Sequence, residues 1–346
     1  MKLLLNSDQI IALNPKETSV FRSECAKLGR QINLEAMTQQ AKDAAKLDTV
    51  CSAQFDEPLP GTAKPGKLFI ALEHQLGWSR DILDGGVWGD EITGRVKHWL
   101  AERGAVMQLI RKPGRLGQQP CDGINVYISH CDPSVGEGVF LEHRLIADVE
   151  VLLELDVQLG IPTEGATRVD HPLYLVCTHG KRDRCCAVKG RPVAAAMHNL
   201  FPEMVWETSH SKGHRFAPAM VLLPWNYCYG RISAVETKAV IEEAQRGIIH
   251  AEGCRGRGIY PAAAQVAELA VRREVNSWGA DDIARVELSD DNACAVVTLA
   301  DGPVAGGAEA EYEVALERIV TQGVVSSCGD APGPKKGWAA VEVRRL

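Results

Sequence analysis

Apolar runs and amphipathic stretches follow one another along the first half of the chain. Residues 68–73 form a nearly continuous apolar run, which is typical of a strand buried on both faces. From Asp90 to Gly104 apolar residues recur at helical spacing, and we expect Asp90 to cap this helix and Gly104 to end it. Further strands are predicted over residues 105–111, 124–128 and 139–143. This order of elements predicts an α/β fold.

The second half of the chain has the same plan. Residues 173–176 predict a strand that ends at Cys177, and residues 191–200 predict a helix with Pro192 in its first turn, where proline is tolerated. The remaining predicted elements are strands over residues 204–208, 219–223 and 229–232 and helices over residues 234–246 and 261–278. The shared order suggests a duplicated unit, although the sequence shows no clear repeat.

The two ends of the chain have different patterns. Residues 1–50 are polar and become helix-prone in their second half, so we predict an N-terminal helical extension. After residue 283, alternating runs predict a small C-terminal antiparallel β segment with strands over residues 285–288, 295–299 and 311–315 and a loop over residues 326–334. The predicted domain boundaries are therefore 1–50, 51–165, 166–283 and 284–346.

Composition narrows the classes of protein. The chain has 346 residues, of which 45% are hydrophobic, enough for two domains with well-formed cores. No apolar run reaches the roughly 20 residues of a membrane-spanning helix, and no signal peptide is predicted. The net charge of -7 disfavours nonspecific binding to nucleic acid or to an anionic membrane, and we expect neither partner. The eleven cysteines then favour a reducing, cytoplasmic location with metal or redox chemistry.

Candidate chemistry concentrates between Cys177 and His214. Cys177, Cys185 and Cys186 are followed within about forty residues by His210 and His214. Cys177 and His210 each follow a predicted strand, at the sheet edge where α/β proteins commonly bind ligands. Gly180 and Gly213 would let the adjoining loops turn sharply around a metal. Two thiolates and two imidazoles suit either tetrahedral zinc or a 2Fe–2S cluster, and composition does not separate the two.

Other interpretations of these residues stay open. Buried cysteine is often simply a small hydrophobic side chain, and a structural zinc is conceivable although no CxxC pair is present. A Rieske centre is excluded, because no C-x-x-H follows Cys177-Thr-His179. The neighbouring Cys185 and Cys186 could form a redox thiol pair. We interpret the isolated histidines and the scattered cysteines as structural residues: His74, His98, His143, Cys51, Cys254 and Cys328.

Three motifs carry a family resemblance. They are Cys177-Thr-His-Gly-Lys-Arg-Asp-Arg-Cys-Cys-Ala, His210-Ser-Lys-Gly-His-Arg-Phe-Ala and Tyr229-Gly-Arg. Together with Pro58-Leu-Pro-Gly-Thr-Ala upstream and Arg255-Gly-Arg downstream, they resemble the sucrase/ferredoxin-like family, relatives of the thioredoxin-like 2Fe–2S ferredoxins. The resemblance covers about residues 50–280.

The resemblance implies two thioredoxin-like units, over residues 51–165 without a cluster and over residues 166–283 with one. It implies a 2Fe–2S cluster with the ligands Cys177, Cys186, His210 and His214. The family's Arg-Asp pair, here Arg182-Asp183, selects Cys186 over Cys185. We therefore expect an electron carrier rather than an enzyme with its own substrate. A zinc-stabilised thioredoxin-like binding domain and a thiol-dependent reductase remain the alternatives, and no sequence feature pairs carboxylates for sugar hydrolysis.

Basic residues surround the candidate site in an otherwise acidic protein: Lys181, Arg182, Arg184, Lys189, Arg191, Lys212 and Arg215. They form either a solvated face that keeps the thiolates deprotonated or a docking patch for an acidic redox partner, such as a flavoprotein reductase.

Overall fold

The computed structural model describes residues 51–53, 57–119, 123–300 and 310–346, all within one unit, Val50–Leu346. The predicted extension over residues 1–50 lies outside the described residues. The helices are α1 (Asp90–Glu102), α2 (Val149–Glu154), α3 (Arg191–Leu200), α4 (Ala234–Ala244) and α5 (Ala262–Val275). The strands are β1 (Leu68–Glu73), β2 (Ala105–Arg111), β3 (Ile124–His130), β4 (Phe140–Ile146), β5 (Thr167–Arg168), β6 (Leu173–Cys177), β7 (Val205–Thr208), β8 (Ala219–Leu223), β9 (Tyr227–Gly230), β10 (Cys254–Arg257), β11 (Ile283–Leu288), β12 (Cys294–Leu299), β13 (Ala310–Val324) and β14 (Gly333–Arg345).

Within these ranges the strands form two sheets. Ten strands form a mixed sheet in the order β10-β9-β8-β6-β7-β2-β1-β3-β4-β5, and four form a separate antiparallel sheet in the order β11-β12-β13-β14. The predicted α/β class and the C-terminal antiparallel segment are thus confirmed. The four domain boundaries stay a prediction.

The large sheet contains the same strand pattern twice. Strand β1 pairs parallel with β2 and antiparallel with β3, and β3 pairs antiparallel with β4. Strand β6 likewise pairs parallel with β7 and antiparallel with β8, and β8 pairs antiparallel with β9. The two halves meet where β2 pairs antiparallel with β7, through Ile110 opposite Thr208 and Arg111 opposite Glu207. One continuous sheet therefore spans both halves.

Local sequence explains how several helices begin. Ser233 and Glu236 form a capping box at the start of α4, and the Asp148 side chain accepts hydrogen bonds from the first turn of α2. The prediction that Asp90 caps α1 is wrong, because Gly89 holds the N-cap position and Asp90 is the first helical residue. The Asp90 carboxylate still lies in the first turn, where the helix dipole favours negative charge.

The C-terminal region contains one more strand than its pattern predicts. Strand β14 begins at Gly333, and its side chains are half-buried or exposed along its whole length, so no apolar alternation announces it. The small sheet packs on α5 through a cluster that contains Val266 and Val271. Helix α5 packs on the other side against the core of the second half through Leu269. The Arg272 guanidinium of α5 is buried and lies 3.0 Å from Glu268 on the same helix. It also donates to the Tyr227 hydroxyl, which connects α5 to strand β9 of the large sheet.

No helix among the described residues combines the length and the apolar character that crossing a bilayer requires.

Burial keeps several histidines neutral, and His130 is the most enclosed example. Its side chain is 0% exposed, its ring stacks on Phe140, and its Nδ1 accepts a hydrogen bond of 2.9 Å from the Gly160 N–H. Burial lowers the pKa of His130. Burial also lowers the pKa of the following histidines: His74, His143, His179, His198 and His214.

We predict that the free energy of unfolding falls as pH falls from 7.5 to 5.5. The unfolded chain takes up protons near pH 6.5 while the buried histidines stay neutral, which costs at most about 1.4 kcal/mol per pH unit for each histidine. Urea unfolding at several pH values measures this slope. His130→Asn, which keeps an acceptor for Gly160, should flatten the slope, whereas His98→Asn at an exposed position should not. An unchanged slope in His130→Asn would contradict the assignment.

Candidate metal centre

Cys177 ends β6 at the carboxyl edge of the large sheet and is 1% exposed. The chain returns to this point through a short π-helical turn, Cys186–Gly190, that continues into α3. Gly190 packs directly against the Cys177 carbonyl, where a Cβ atom would collide with the backbone. This close approach brings the Cys186 thiol back toward Cys177.

His210 follows β7, and its backbone is held by a neighbouring histidine. The His210 N–H donates to Nδ1 of His179 at 3.1 Å, and Nε2–H of His179 donates to the Ser79 carbonyl at 2.7 Å. Residue 209 is fixed from the first half of the chain, because the Ser209 N–H donates to the Leu109 carbonyl at 2.8 Å. His179 is thus a positioning residue that sequence reasoning missed.

The structure brings three of the four predicted ligands together. One ligand atom each of Cys177, Cys186 and His210 lie within 4.8 Å of one another. A hydrogen bond from Cys186, together with the nearby His210, holds the pKa of Cys177 well below its usual value despite burial. The same hydrogen bond raises the pKa of Cys186. The group therefore brings two buried cysteine sulfurs and a half-buried imidazole together, with Cys177 the sulfur more readily deprotonated.

His214 lies beside this group rather than in it. Its ring stacks on His210 with the centroids 5.0 Å apart, and its Nδ1 lies 3.3 Å from Nε2 of His210. Because the Ser326 carbonyl can only accept, Nε2–H of His214 is the donor to it, and Nδ1 of His214 then accepts from His210. Nδ1 of His210 is left buried and has no hydrogen-bond partner among the described residues.

Arg255 lies directly under the loop that carries both histidines. Its buried guanidinium donates to the Thr62 hydroxyl at 3.0 Å and to the carbonyls of Thr62 and Lys212. Gly213 has a φ of +94° and packs against this guanidinium so closely that a Cβ atom would collide with it. Arg255 belongs to the downstream motif of the family resemblance and Thr62 to the upstream motif. The hydrogen bonds of Arg255 therefore connect both motifs to the loop that carries His210 and His214.

A profile described as sucrase/ferredoxin-like matches residues 59–256, which is more than half of the chain. This chain belongs to the sucrase/ferredoxin-like family. Neither the curated proteins nor the solved structures contain a match. The matched region of this sucrase/ferredoxin-like protein includes Cys177, Cys186, His210 and His214, whereas α5 and the C-terminal sheet lie beyond it.

The two neighbouring cysteines of this sucrase/ferredoxin-like chain face different groups. Cys186 belongs to the group with Cys177, whereas the Cys185 Sγ lies 3.5 Å from Cys51 Sγ and 2.9 Å from an oxygen of Asp183. The hydrogen bond with Cys185 and burial raise the pKa of Cys51. Cys185 Sγ therefore faces Cys51 and Asp183, and it also lies 3.0 Å from the carbonyl oxygen of His214.

The histidine side of the site opens into a cleft of about 620 Å³ that both histidines line. Among the described residues that line it, seven are basic and one, Asp81, is acidic; the basic ones are Lys64, Arg80, Lys97, Arg182, Lys212, Arg215 and Lys335. Burial, followed by the charge of Lys212, lowers the pKa of Lys64 to about 8. Three residues of the predicted basic patch thus line this cleft: Arg182, Lys212 and Arg215.

We predict that Gly213→Ala destabilises the protein more than a backbone effect alone explains. Gly247 is the matched control, since its φ is +71° and a Cβ atom there meets nothing within 4 Å. Gly247→Ala should cost about 1 kcal/mol of left-handed strain, and Gly213→Ala at least about 1 kcal/mol more because Arg255 must move. Urea unfolding of both variants measures the difference. Equal losses would show that Arg255 does not restrict the loop.

Proposed function

We propose that this protein carries a 2Fe–2S cluster on Cys177, Cys186, His210 and His214 and transfers single electrons. The convergence of Cys177, Cys186 and His210 within 4.8 Å carries the proposal. His214 stacks beside the group and would complete the set after a small rearrangement.

The chemistry of the donor set fits such a group. Metals bind thiolate sulfur and neutral imidazole, and the lowered pKa of Cys177 favours the thiolate. Nδ1 of His210 is buried and has no hydrogen-bond partner among the described residues, so its lone pair is free to bind a metal. When bound, the cluster would accept and release one electron at a time, more readily than an all-thiolate cluster because the imidazoles are neutral.

The protein's own residues would control access to this centre. Cys177 and Cys186 are each 1% exposed, so water is excluded from the sulfur side. His210 and His214 are half-buried and line the basic cleft, so the imidazole side faces solvent. His179 would hold the His210 backbone in place through its own hydrogen bonds. Electron exchange with a partner would therefore occur at the histidine edge.

The repeated strand pattern supports a further part of the proposal, that each half of the large sheet is a thioredoxin-like unit. Each unit would consist of a parallel pair crossed by a helix, followed by an antiparallel pair. The free state of the nine described cysteines suits a reducing, cytoplasmic setting.

Two alternatives involve residues of the same region. Zinc would suit the same four ligands and would make the site structural. A thiol reductase that uses Cys185 and Cys186 is less favoured, because both sulfurs are buried, 0% and 1% exposed, and a reactive thiolate must be reachable.

We predict that protein purified without air is brown, contains iron and acid-labile sulfide, and gives an S = 1/2 electron paramagnetic resonance signal on reduction. Cys177→Ala and His210→Ala should lose the signal, because each removes a ligand. Cys185→Ser is the matched control and should keep it, because Cys185 faces Asp183. Colourless protein with zinc but no sulfide would refute electron transfer.

The basic cleft suggests the partner. An acidic redox protein, such as a flavoprotein reductase, would be steered to positive charge at the histidine edge and would dock there. Exposed lysines such as Lys97 on α1 line the cleft but lie outside the ligand loops, so they can be changed without touching the proposed ligands.

We predict that Lys97→Glu slows reduction by an isolated flavoprotein reductase by about tenfold at low ionic strength, because steering raises on-rates by 10–10³. The difference from the unaltered protein should shrink as salt is added. Arg191→Glu is the control, since Arg191 is exposed but does not line the cleft. Stopped-flow rates at several salt concentrations measure both effects. Rates independent of salt would exclude docking by charge.

A further inference from the structure

We propose that Cys51, Asp183, Cys185 and Cys328 form a second metal site, which binds one zinc-like divalent cation independently of the proposed cluster. One ligand atom from each of the four residues lies within 4.8 Å of the others. Three of these residues are buried, and Cys328 is half-buried.

The contacts among the four residues define a small, closed group. Cys51 Sγ lies 3.5 Å from Cys185 Sγ and 3.8 Å from Asp183 Oδ1, and Cys185 Sγ lies 2.9 Å from the same oxygen. The backbone of Cys328 is held next to this group, because its N–H donates to Asp183 Oδ2 at 3.0 Å. Its Sγ accepts a hydrogen bond of 3.4 Å from the Cys51 N–H.

The four residues come from segments that are far apart in the sequence. Cys51 and Cys185 are 134 positions apart in the sequence, and Asp183 and Cys328 are 145 apart, so the fold gathers distant segments at one point. Asp183 is held in place by the N–H groups of Cys185 and Cys328 and by the Ser327 hydroxyl, which donate to its carboxylate. A divalent cation would bind this carboxylate and the three sulfurs around it.

The donor set selects the class of metal. Three thiolates and one carboxylate are ligands that zinc accepts in tetrahedral sites, whereas calcium and magnesium prefer all-oxygen sites. On binding, each of the three thiols would lose its proton to solvent, and Asp183 would bind through a carboxylate oxygen. No electron transfer is involved.

The proposed second site adjoins the cluster site, since Asp183 Oδ2 lies 3.6 Å from His214 Nε2 and Cys185 Sγ lies 3.0 Å from the His214 carbonyl oxygen. It lies partly outside the family match. Cys51 and Cys328 flank the matched residues 59–256, so the family assigns them nothing. Cys185 and Cys186 are adjacent but would serve different metals. Asp183 also accepts from the Ser327 hydroxyl at 2.7 Å, and Ser326 holds His214. A metal here would therefore fasten the segment that orients His214.

The test is metal analysis of the full chain after equilibration with zinc chloride and removal of loosely bound metal. The unaltered protein should retain one zinc per chain in addition to iron. Cys51→Ser and Cys328→Ser should each lose that zinc and keep iron and sulfide. Cys294→Ser is the matched control, since Cys294 is half-buried in β12 outside the group, and it should keep both metals. Circular dichroism verifies folding.

Two further readouts make the result decisive. X-ray absorption at the zinc edge should show sulfur at about 2.3 Å and an oxygen at about 2.0–2.2 Å. Cys177→Ser should lose iron but keep the Cys51-dependent zinc, so failure of the proposed cluster leaves this site standing. Zinc content that is the same in Cys51→Ser, Cys328→Ser and the unaltered protein would overturn the proposal. So would a Cys51–Cys185 disulfide in the isolated protein.

Discussion

The parallel pairing of β6 with β7 is the constraint on which the candidate site depends. It places Cys177 opposite Thr208, so the ligand loops leave the sheet at adjacent points of one edge. The antiparallel pairing of β2 with β7 then continues past the end of β7. There the Ser209 N–H donates to the Leu109 carbonyl, and the Leu109 N–H donates to the Ser209 hydroxyl. The first half of the chain is therefore part of the site, because it fixes the residue before His210.

Arg255 extends this constraint to the histidine loop. Its guanidinium is 1% exposed, and the partners that hold it are a hydroxyl and carbonyl groups of Thr62 and Lys212. A buried cation is tolerated only when its donors are satisfied, so both partner segments must keep their places. The loop with Gly213 consequently has little freedom, so the backbone positions of His210 and His214 are fixed and the rearrangement that brings His214 to a metal would be confined to its side chain.

The sequence predicts the part of the site that depends on short-range rules. Strand ends indicate Cys177 and His210, and the family resemblance selects Cys186 and His214. The structure gathers Cys177, Cys186 and His210, and His214 lies beside them. His179 and Arg255 escape prediction because their partners, Ser79 and Thr62, are 100 and 193 positions away. Cys51 and Cys328 look like scattered structural cysteines for the same reason. Strand β14 escapes because an edge strand with half-exposed side chains has no apolar alternation.

The adjacent Cys185 and Cys186 belong to two different groups of candidate ligands. Their side chains belong to two adjoining groups, with Cys186 near Cys177 and Cys185 near Cys51 and Asp183. The sulfur side of the proposed cluster would thus be closed by the proposed second metal, and the imidazole side would open to the basic cleft. Because electron transfer is fastest where a partner protein can approach the cluster, electrons would leave through the histidine ligands rather than through the cysteine ligands. The second metal would then act on His214 through its own ligand Asp183, whose Oδ2 lies 3.6 Å from His214 Nε2, and through Ser326, whose carbonyl accepts from the same nitrogen.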